Sequence, residues 1–377
     1  MSSSSSSPSR TVRLGFVSLS DCAPLVVACK LGLGRRYGLE LELQRQPSWA
    51  AIRDKLLSGE LDAAQALYGM VYGVQLGIGG PQADMAILLT LNQNGQAITL
   101  SSALHAQLAA GATLAGIVRA RPRPLVLAHT FPTGTHAMWL YYWLACQGID
   151  PLNEVRCVVI PPPQMVGALA EGALDGFSAG QPWHAVAHAR GLGAIEAHSS
   201  EIWPGHPEKV LACRRSLVES QPQLAQQLCA IMLEACRWLA DPAHREQAAY
   251  WLSAEEYLGL PAALINAQWQ GAAIHAAGYA LEIDFYDDGR VNYPYLSDGL
   301  WFLTQFLRWG MVRDDADLQD LVRDVNQTAI YRAAARSLDI PLPASAWRDS
   351  VLMDGTPWHG DAPERYAQSF AIRARQP

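Results

Sequence analysis

One eight-residue pattern occurs twice in this chain. Leu56-Leu-Ser-Gly59-Glu-Leu61-Asp62-Ala63 returns as Leu169-Ala-Glu-Gly172-Ala-Leu174-Asp175-Gly176. Each copy reads as a helix ending at a glycine, which takes the left-handed cap conformation without a Cβ penalty. A Leu-Asp pair and small residues then open a short strand. The copies lie too far apart for a solenoid period. They predict two similar lobes, each feeding a helix into a strand that points at a shared cleft. The length of 377 residues agrees, since it exceeds what one hydrophobic core usually serves.

The rest of the pattern alternates short apolar runs with longer amphipathic ones, as in α/β lobes built on mostly parallel sheets. Strands are expected at Thr11–Val17, Leu39–Gln44, Pro124–Ala128 and Cys157–Ile160. Helices are expected at Pro24–Tyr37 and Trp49–Leu57. Beyond Leu217 the chain turns mainly helical, through Leu224–Ala240, Ala243–Leu252, Pro261–Ala276 and Asp298–Trp309.

Charge narrows the function classes. Twenty-eight Lys and Arg stand against 35 Asp and Glu, a net charge of −7. Such a chain has no general attraction for nucleic acid or anionic lipid. The opening residues, MSSSSSSPSR, read as a disordered leader without the apolar core of a secretory signal. The seven cysteines include no CxxC pair and suit buried thiols in a reducing compartment. A cytoplasmic location is the expectation. GxSxG, P-loop and HExxH motifs do not occur, and nothing in the residues points to an enzyme.

Several collinear segments carry a family resemblance. They are Leu14–Leu25, Pro47–Leu56 with Gly59–Ala64, Leu91–Thr99, Gly134–Leu144, Pro207–Val210 and Val291–Leu303. In these the chain resembles the nitrate/bicarbonate-binding proteins of ABC transporters, the NrtA/CmpA-like branch of the periplasmic-binding-protein superfamily. The resemblance implies an α/β, two-lobed, periplasmic-binding-protein-like fold (type II) with a helical C-terminal extension. It divides the chain into a leader (1–10), a first lobe (11–100 with 213–377) and a second lobe (101–212). Exported members carry a leader that this chain lacks, and a leaderless member resembles the NasS-type cytoplasmic nitrate/nitrite sensor. That type implies nitrate or nitrite as ligand, no cofactor, and an ANTAR-type (NasT-like) RNA-binding antiterminator as the partner it holds and releases. A solute-binding component of a nitrate, bicarbonate or sulfonate ABC transporter is the alternative. An enzyme of the thiamine-precursor or sulfonate type is a third reading that no motif favours.

Nitrate is a flat, weakly hydrated monoanion. Its site wants a few donors in the anion plane, one or two positive charges and a dry wall, and inward carboxylates would repel it. Lys209 supplies the charge and matches the family's anion-contacting lysine. His136, with Gly134 and Thr135 before the run Ala137–Leu144, falls at a helix N-terminus, where free N–H groups favour an anion. It donates when neutral or carries charge near its usual pKa of about 6.5. Trp49 begins another helix, and the resemblance places it against the oxyanion through its indole N–H or ring. Gln96 offers an uncharged amide donor, with Gln93 a weaker neighbour. Pro163, with Pro162 and Gln164, is expected on the second lobe's wall. Gln181-Pro182-Trp183 follows the second echo and should lie near the cleft or hinge. His184 and His188 have the spacing of helical metal ligands, but without a third ligand they read as a helix face. Asp284, Asp287 and Asp288 lack calcium-loop spacing and read as a solvated turn.

Overall fold

The computed structural model describes residues 10–269, 283–312 and 317–374. The leader expected over 1–10 lies outside the described residues except for Arg10, which opens the first strand.

Ten strands build two five-stranded sheets, and an eleventh, β5 (Gln93–Asn94), lies in the link between them. They are β1 (Arg10–Phe16), β2 (Leu39–Arg45), β3 (Ala63–Leu67), β4 (Met85–Thr90), β5 (Gln93–Asn94) and β6 (Gln96–Ser101). Then come β7 (Val126–His129), β8 (Arg156–Val159), β9 (Gly176–Gly180), β10 (Gly193–His198) and β11 (Lys209–Arg214). The first sheet has the order β2-β1-β3-β11-β4 and the second β10-β6-β9-β7-β8. In the first, β1 runs parallel to β2 and β3, and β11 runs antiparallel to β3 and β4. In the second, β7 runs parallel to β8 and β9, and β6 runs antiparallel to β9 and β10. The two sheets therefore repeat one plan.

The echoed pattern is the joint of that plan. The helix Trp49–Ser58 ends at Gly59 with φ 81°, and Gly172, just past the helix Pro162–Ala170, has φ 69°. In the first copy the Asp62 carboxylate accepts the Arg13 N–H at 2.8 Å, while its own N–H donates to the Arg13 carbonyl at 3.0 Å. In the second, Asp175 accepts the Val126 N–H at 2.9 Å and donates to the Val126 carbonyl at 2.8 Å. Each aspartate sews the entry of an inner strand (β3, β9) to its parallel neighbour (β1, β7).

Two expectations are corrected. The helix expected over Pro24–Tyr37 is an α-helix, Ala23–Lys30, and a separate 3-10 turn, Leu33–Tyr37, because Gly32 adopts φ 62° between them. β6 pairs with β9 and β10 and so belongs to the second sheet, whereas β11 belongs to the first. The chain accordingly crosses between lobes at about residues 91–95 and 199–208, not at 100/101 and 212/213. The expected helix Pro261–Ala276 is seen as Ala262–Trp269, and its remainder lies outside the described residues.

The two crossings run side by side. Leu91 N–H donates to the Lys209 carbonyl at 2.7 Å, Glu208 N–H to Asn92 at 3.1 Å and Asn94 N–H to His206 at 3.2 Å. Around them one apolar cluster joins both lobes through Trp49, Tyr68, Trp139, Trp203 and Trp301. A second cluster packs the helices Ala23–Lys30, Pro222–Ala240 and Thr328–Ser337 on the other face of the first sheet. The segment after Ser337 then straps the lobes together. Arg348 forks onto Asp298 at 2.7 and 2.8 Å and donates to the Gly205 carbonyl at 2.8 Å. Tyr142, on the second lobe's buried helix Thr135–Cys146, donates to Asp354 at 3.0 Å. Among the described residues no helix is long and apolar enough to cross a membrane.

Candidate functional site

Local sequence decides where the site's side chains start. Ser48 caps the helix Trp49–Ser58 by accepting the Ala51 N–H, which fixes Trp49 at the first helical position. Gly134 caps the helix Thr135–Cys146, and an added Cβ there would lie 2.6 Å from Leu67 Cδ1, so a larger residue would have to displace that side chain from β3. Thr135 and His136 are the first two residues of that helix. Gln96 opens β6 and Lys209 opens β11, each just after a lobe crossing. Four elements thus deliver Trp49, Gln96, His136 and Lys209 to the point where the crossings meet.

These side chains are fully or almost fully buried. Lys209 Nζ donates to Asp21 at 2.9 Å and to Glu208 at 2.8 Å, and stands 5.6 Å from the centre of the Trp49 ring. The His136 Nε2–H donates to Gln96 Oε1 at 2.6 Å, and His136 Nδ1 lies 2.7 Å from the Thr130 hydroxyl. The Gln96 amide nitrogen reaches Asp21 Oδ2 at 3.3 Å. Glu208 also accepts from the Thr135 hydroxyl and, at 3.0 Å, from the Trp139 indole N–H. Among the described residues the buried Trp49 Nε1–H has no hydrogen-bond partner. A buried donor without an acceptor costs free energy, about 1–3 kcal/mol.

The electrostatics select one ionisation pattern. Burial drives the His136 pKa well below its usual range, and the nearby Lys209 ammonium pushes it further. His136 is therefore a neutral donor, and of the two alternatives read from the sequence the charged one is set aside. Burial works against the Lys209 ammonium, but Asp21 and Glu208 outweigh it and hold its pKa above the usual value. Burial raises the Asp21 pKa, opposed by Lys209 and the Gln96 amide. Even so, every polar partner of Asp21 on the neighbouring strands is a donor (Lys209, Gln96, Gln65), which fits an ionised carboxylate.

Not every expected residue joins this cluster. Pro163 is exposed on the first turn of its helix, with only Pro162 buried behind it. Gln93 sits in the crossing, bridged to Pro207 and to the strand Ile283–Asp284. Gln181-Pro182-Trp183 does reach the lobe junction. The Gln181 carbonyl accepts the Ser20 N–H at 2.9 Å, and the Trp183 indole donates to the Ser18 carbonyl at 3.1 Å. His184 is buried while His188 is exposed, so the pair shares no open face. Asp287 pairs with Arg290 and Asp284 with Asn94, as a held turn requires. Among the described residues no group of three His, Cys, Asp or Glu could hold a metal ion.

Asp21 and Glu208 were missed, because an inward carboxylate looks repulsive to an anion. Their signal was an acid inside the apolar stretch Val17–Leu25, and Glu-Lys adjacency directly before a buried strand.

The matched family model is described as the NMT1-like family and spans residues 5–253. The chain belongs to the NMT1-like family. The nitrate/nitrite binding protein NrtA of Nostoc sp. strain PCC 7120 is 33% identical over 380 residues, covering 96% of this chain and 86% of that protein. The nitrate import ATP-binding protein NrtC of Synechococcus elongatus is 34% identical over 371 residues; 98% of this chain matches 56% of that longer protein. The crystal structure of the periplasmic nitrate-binding protein NrtA from Synechocystis PCC 6803 superposes with a TM-score of 0.90 at 32% identity, covering 96% of this chain and 98% of that one. The expected two-lobed periplasmic-binding-protein fold with a helical C-terminal part is thereby established, as is membership of the NrtA/CmpA-like group.

Proposed function

We propose that this chain is a nitrate- or nitrite-binding solute-binding protein, and that it serves an ABC importer. The observation that carries this is the convergence of Lys209, the neutral His136 N–H, the Gln96 amide and the unpartnered Trp49 N–H on one buried point between two lobes. It combines one cation, itself held by the carboxylates of Asp21 and Glu208, with uncharged donors and an indole wall, the donor set of a planar monoanion. The names of the NrtA relatives support the same ligand. The cluster is closed to solvent, so an anion enters as the lobes part and is enclosed as they close.

The transport role is preferred to the expected sensor because NrtA and NrtC relatives match nearly the whole chain. The antiterminator-holding role remains a second reading, with one observation in its favour. All seven cysteines are free thiols, which suits a reducing compartment. A thermal-shift panel of nitrate, nitrite, bicarbonate and taurine tests the ligand, since a true ligand raises the melting temperature by mass action. Stabilisation by nitrate or nitrite alone supports the reading; stabilisation by taurine or bicarbonate alone overturns it. A pull-down with and without nitrate separates the two roles: an RNA-binding partner lost on nitrate addition argues for sensing, and capture by an importer's membrane subunits argues for transport.

A further inference from the structure

Asp21 Oδ2 is an anionic oxygen already bound by two of the donors that a nitrate would use. Lys209 Nζ lies 2.9 Å from it and the Gln96 amide nitrogen 3.3 Å. Lys209 comes from the first lobe's sheet and Gln96 from the second's, so this one oxygen holds donors from both sides of the junction. Glu208 differs, because its oxygens are also anchored by the Thr135 hydroxyl and the Trp139 indole on one helix.

Resting on the nitrate reading, we infer that Asp21 is the specificity-determining residue of the site: it competes with the bound anion for Lys209 and Gln96 and takes up one proton as a monoanion binds. The charge balance forces this. One ammonium faces two carboxylates inside a water-excluded cluster, and a further unit of negative charge there is costly. A monoanion entering with one proton, which goes to an Asp21 oxygen, leaves the cluster's net charge unchanged. A dianion would need a second proton, and Asp21 takes only one. The site therefore admits monovalent oxyanions and rejects sulfate.

The groups facing Asp21 are Gln65 on β3, Lys209 and Glu208 on β11 or just before it, and Gln96 on β6. Gly180 on β9 is close behind, and the Cys22 thiol is next in the chain. His136 reaches it only through Gln96, and burial and the Lys209 ammonium hold its ring neutral. A bound anion draws on the Lys209 ammonium and adds like charge, which raises the Asp21 pKa. Affinity must then increase as pH falls, by at most about tenfold per pH unit.

Calorimetry with sodium nitrate as titrant tests this, run from mildly acidic to mildly alkaline pH in two buffers of different ionisation enthalpy. The wild-type protein should take up about one proton per nitrate, and sodium sulfate should give no saturable heat. In Asp21→Asn the proton uptake should vanish, the pH profile should flatten, and nitrate should bind about tenfold or more tighter at alkaline pH. Nitrate binding without proton uptake, or an unchanged pH profile in Asp21→Asn, overturns the inference alone. Absence of nitrate and nitrite heat at every pH overturns the functional reading and this inference with it. Should Asp21→Asn fail to fold, a carboxylic acid C=O infrared band appearing in the wild type on nitrate addition reads the same proton, and its absence counts against the proposal.

Discussion

Lys209 shows why one side chain carries two separate measurements. Its ammonium is the cation an anion would use, and it is also the counter-ion of two buried carboxylates. Removing one partner from a buried ionic group leaves an uncompensated charge, at a cost of about 3–5 kcal/mol. Lys209→Met should therefore lose about that much in urea unfolding as well as weakening nitrate binding by more than tenfold. A variant of wild-type stability would show that the Asp21 and Glu208 pairing contributes nothing. Trp49 is the contrasting case, since its N–H has no partner to lose. Trp49→Phe should keep the stability within about 1–2 kcal/mol, because most of the ring burial is retained. It should still weaken nitrate binding several-fold, and equal affinity by calorimetry would remove the indole N–H from the site. At this scale the sequence showed donors better than acceptors. Lys209, His136 and Gln96 stood out as types that suit an anion, while Asp21 looked like any loop acid because its partners lie on strands far away in the chain.

Among elements, the clearest sequence signal was the echoed joint, and its legibility has a local cause. A positive-φ cap and an aspartate clamp need specific residues within one short stretch, so both copies are written in the chain itself. Asp62→Ala and Asp175→Ala each remove the acceptor of a partly buried backbone N–H and should each cost about 1–3 kcal/mol. Near-equal losses in urea unfolding are expected, and a cost at one site only would contradict the shared plan of the lobes. The lobe crossings were not legible in the same way. β6 and β11 are short strands with antiparallel partners contributed by distant segments, so no periodicity announces which sheet each one joins. The break at Gly32 was hidden for the opposite reason. Apolar spacing continues through it, and only the backbone turn at that glycine separates helix from 3-10 turn.

For the whole molecule, burial of histidine sets the pH range of stability. Burial lowers the pKa of His129 to about 4 and those of His184 and His206 to about 3, and takes His136 well below its usual value. Their unfolded value is about 6.5, so between these limits the unfolded chain binds the protons, and stability is lost as pH falls below about 6.5. Four such groups give a slope approaching 5 kcal/mol per pH unit, opposed by the raised pKa of Asp21, which favours the folded state at low pH. Thermal unfolding should show a steep fall in melting temperature from pH about 6 downward, and a flat profile would mean that these rings are solvated. Two lobes that close over a buried cluster must bind their ligand at that cluster. The deciding measurement is a nitrate titration of the full chain by calorimetry beside His136→Ala, whose ring is the neutral donor from the second lobe. Saturable one-to-one binding is expected in the wild type, and at least about tenfold weaker binding in the variant. Equal affinity in the two proteins, or no binding in the wild type, would contradict it.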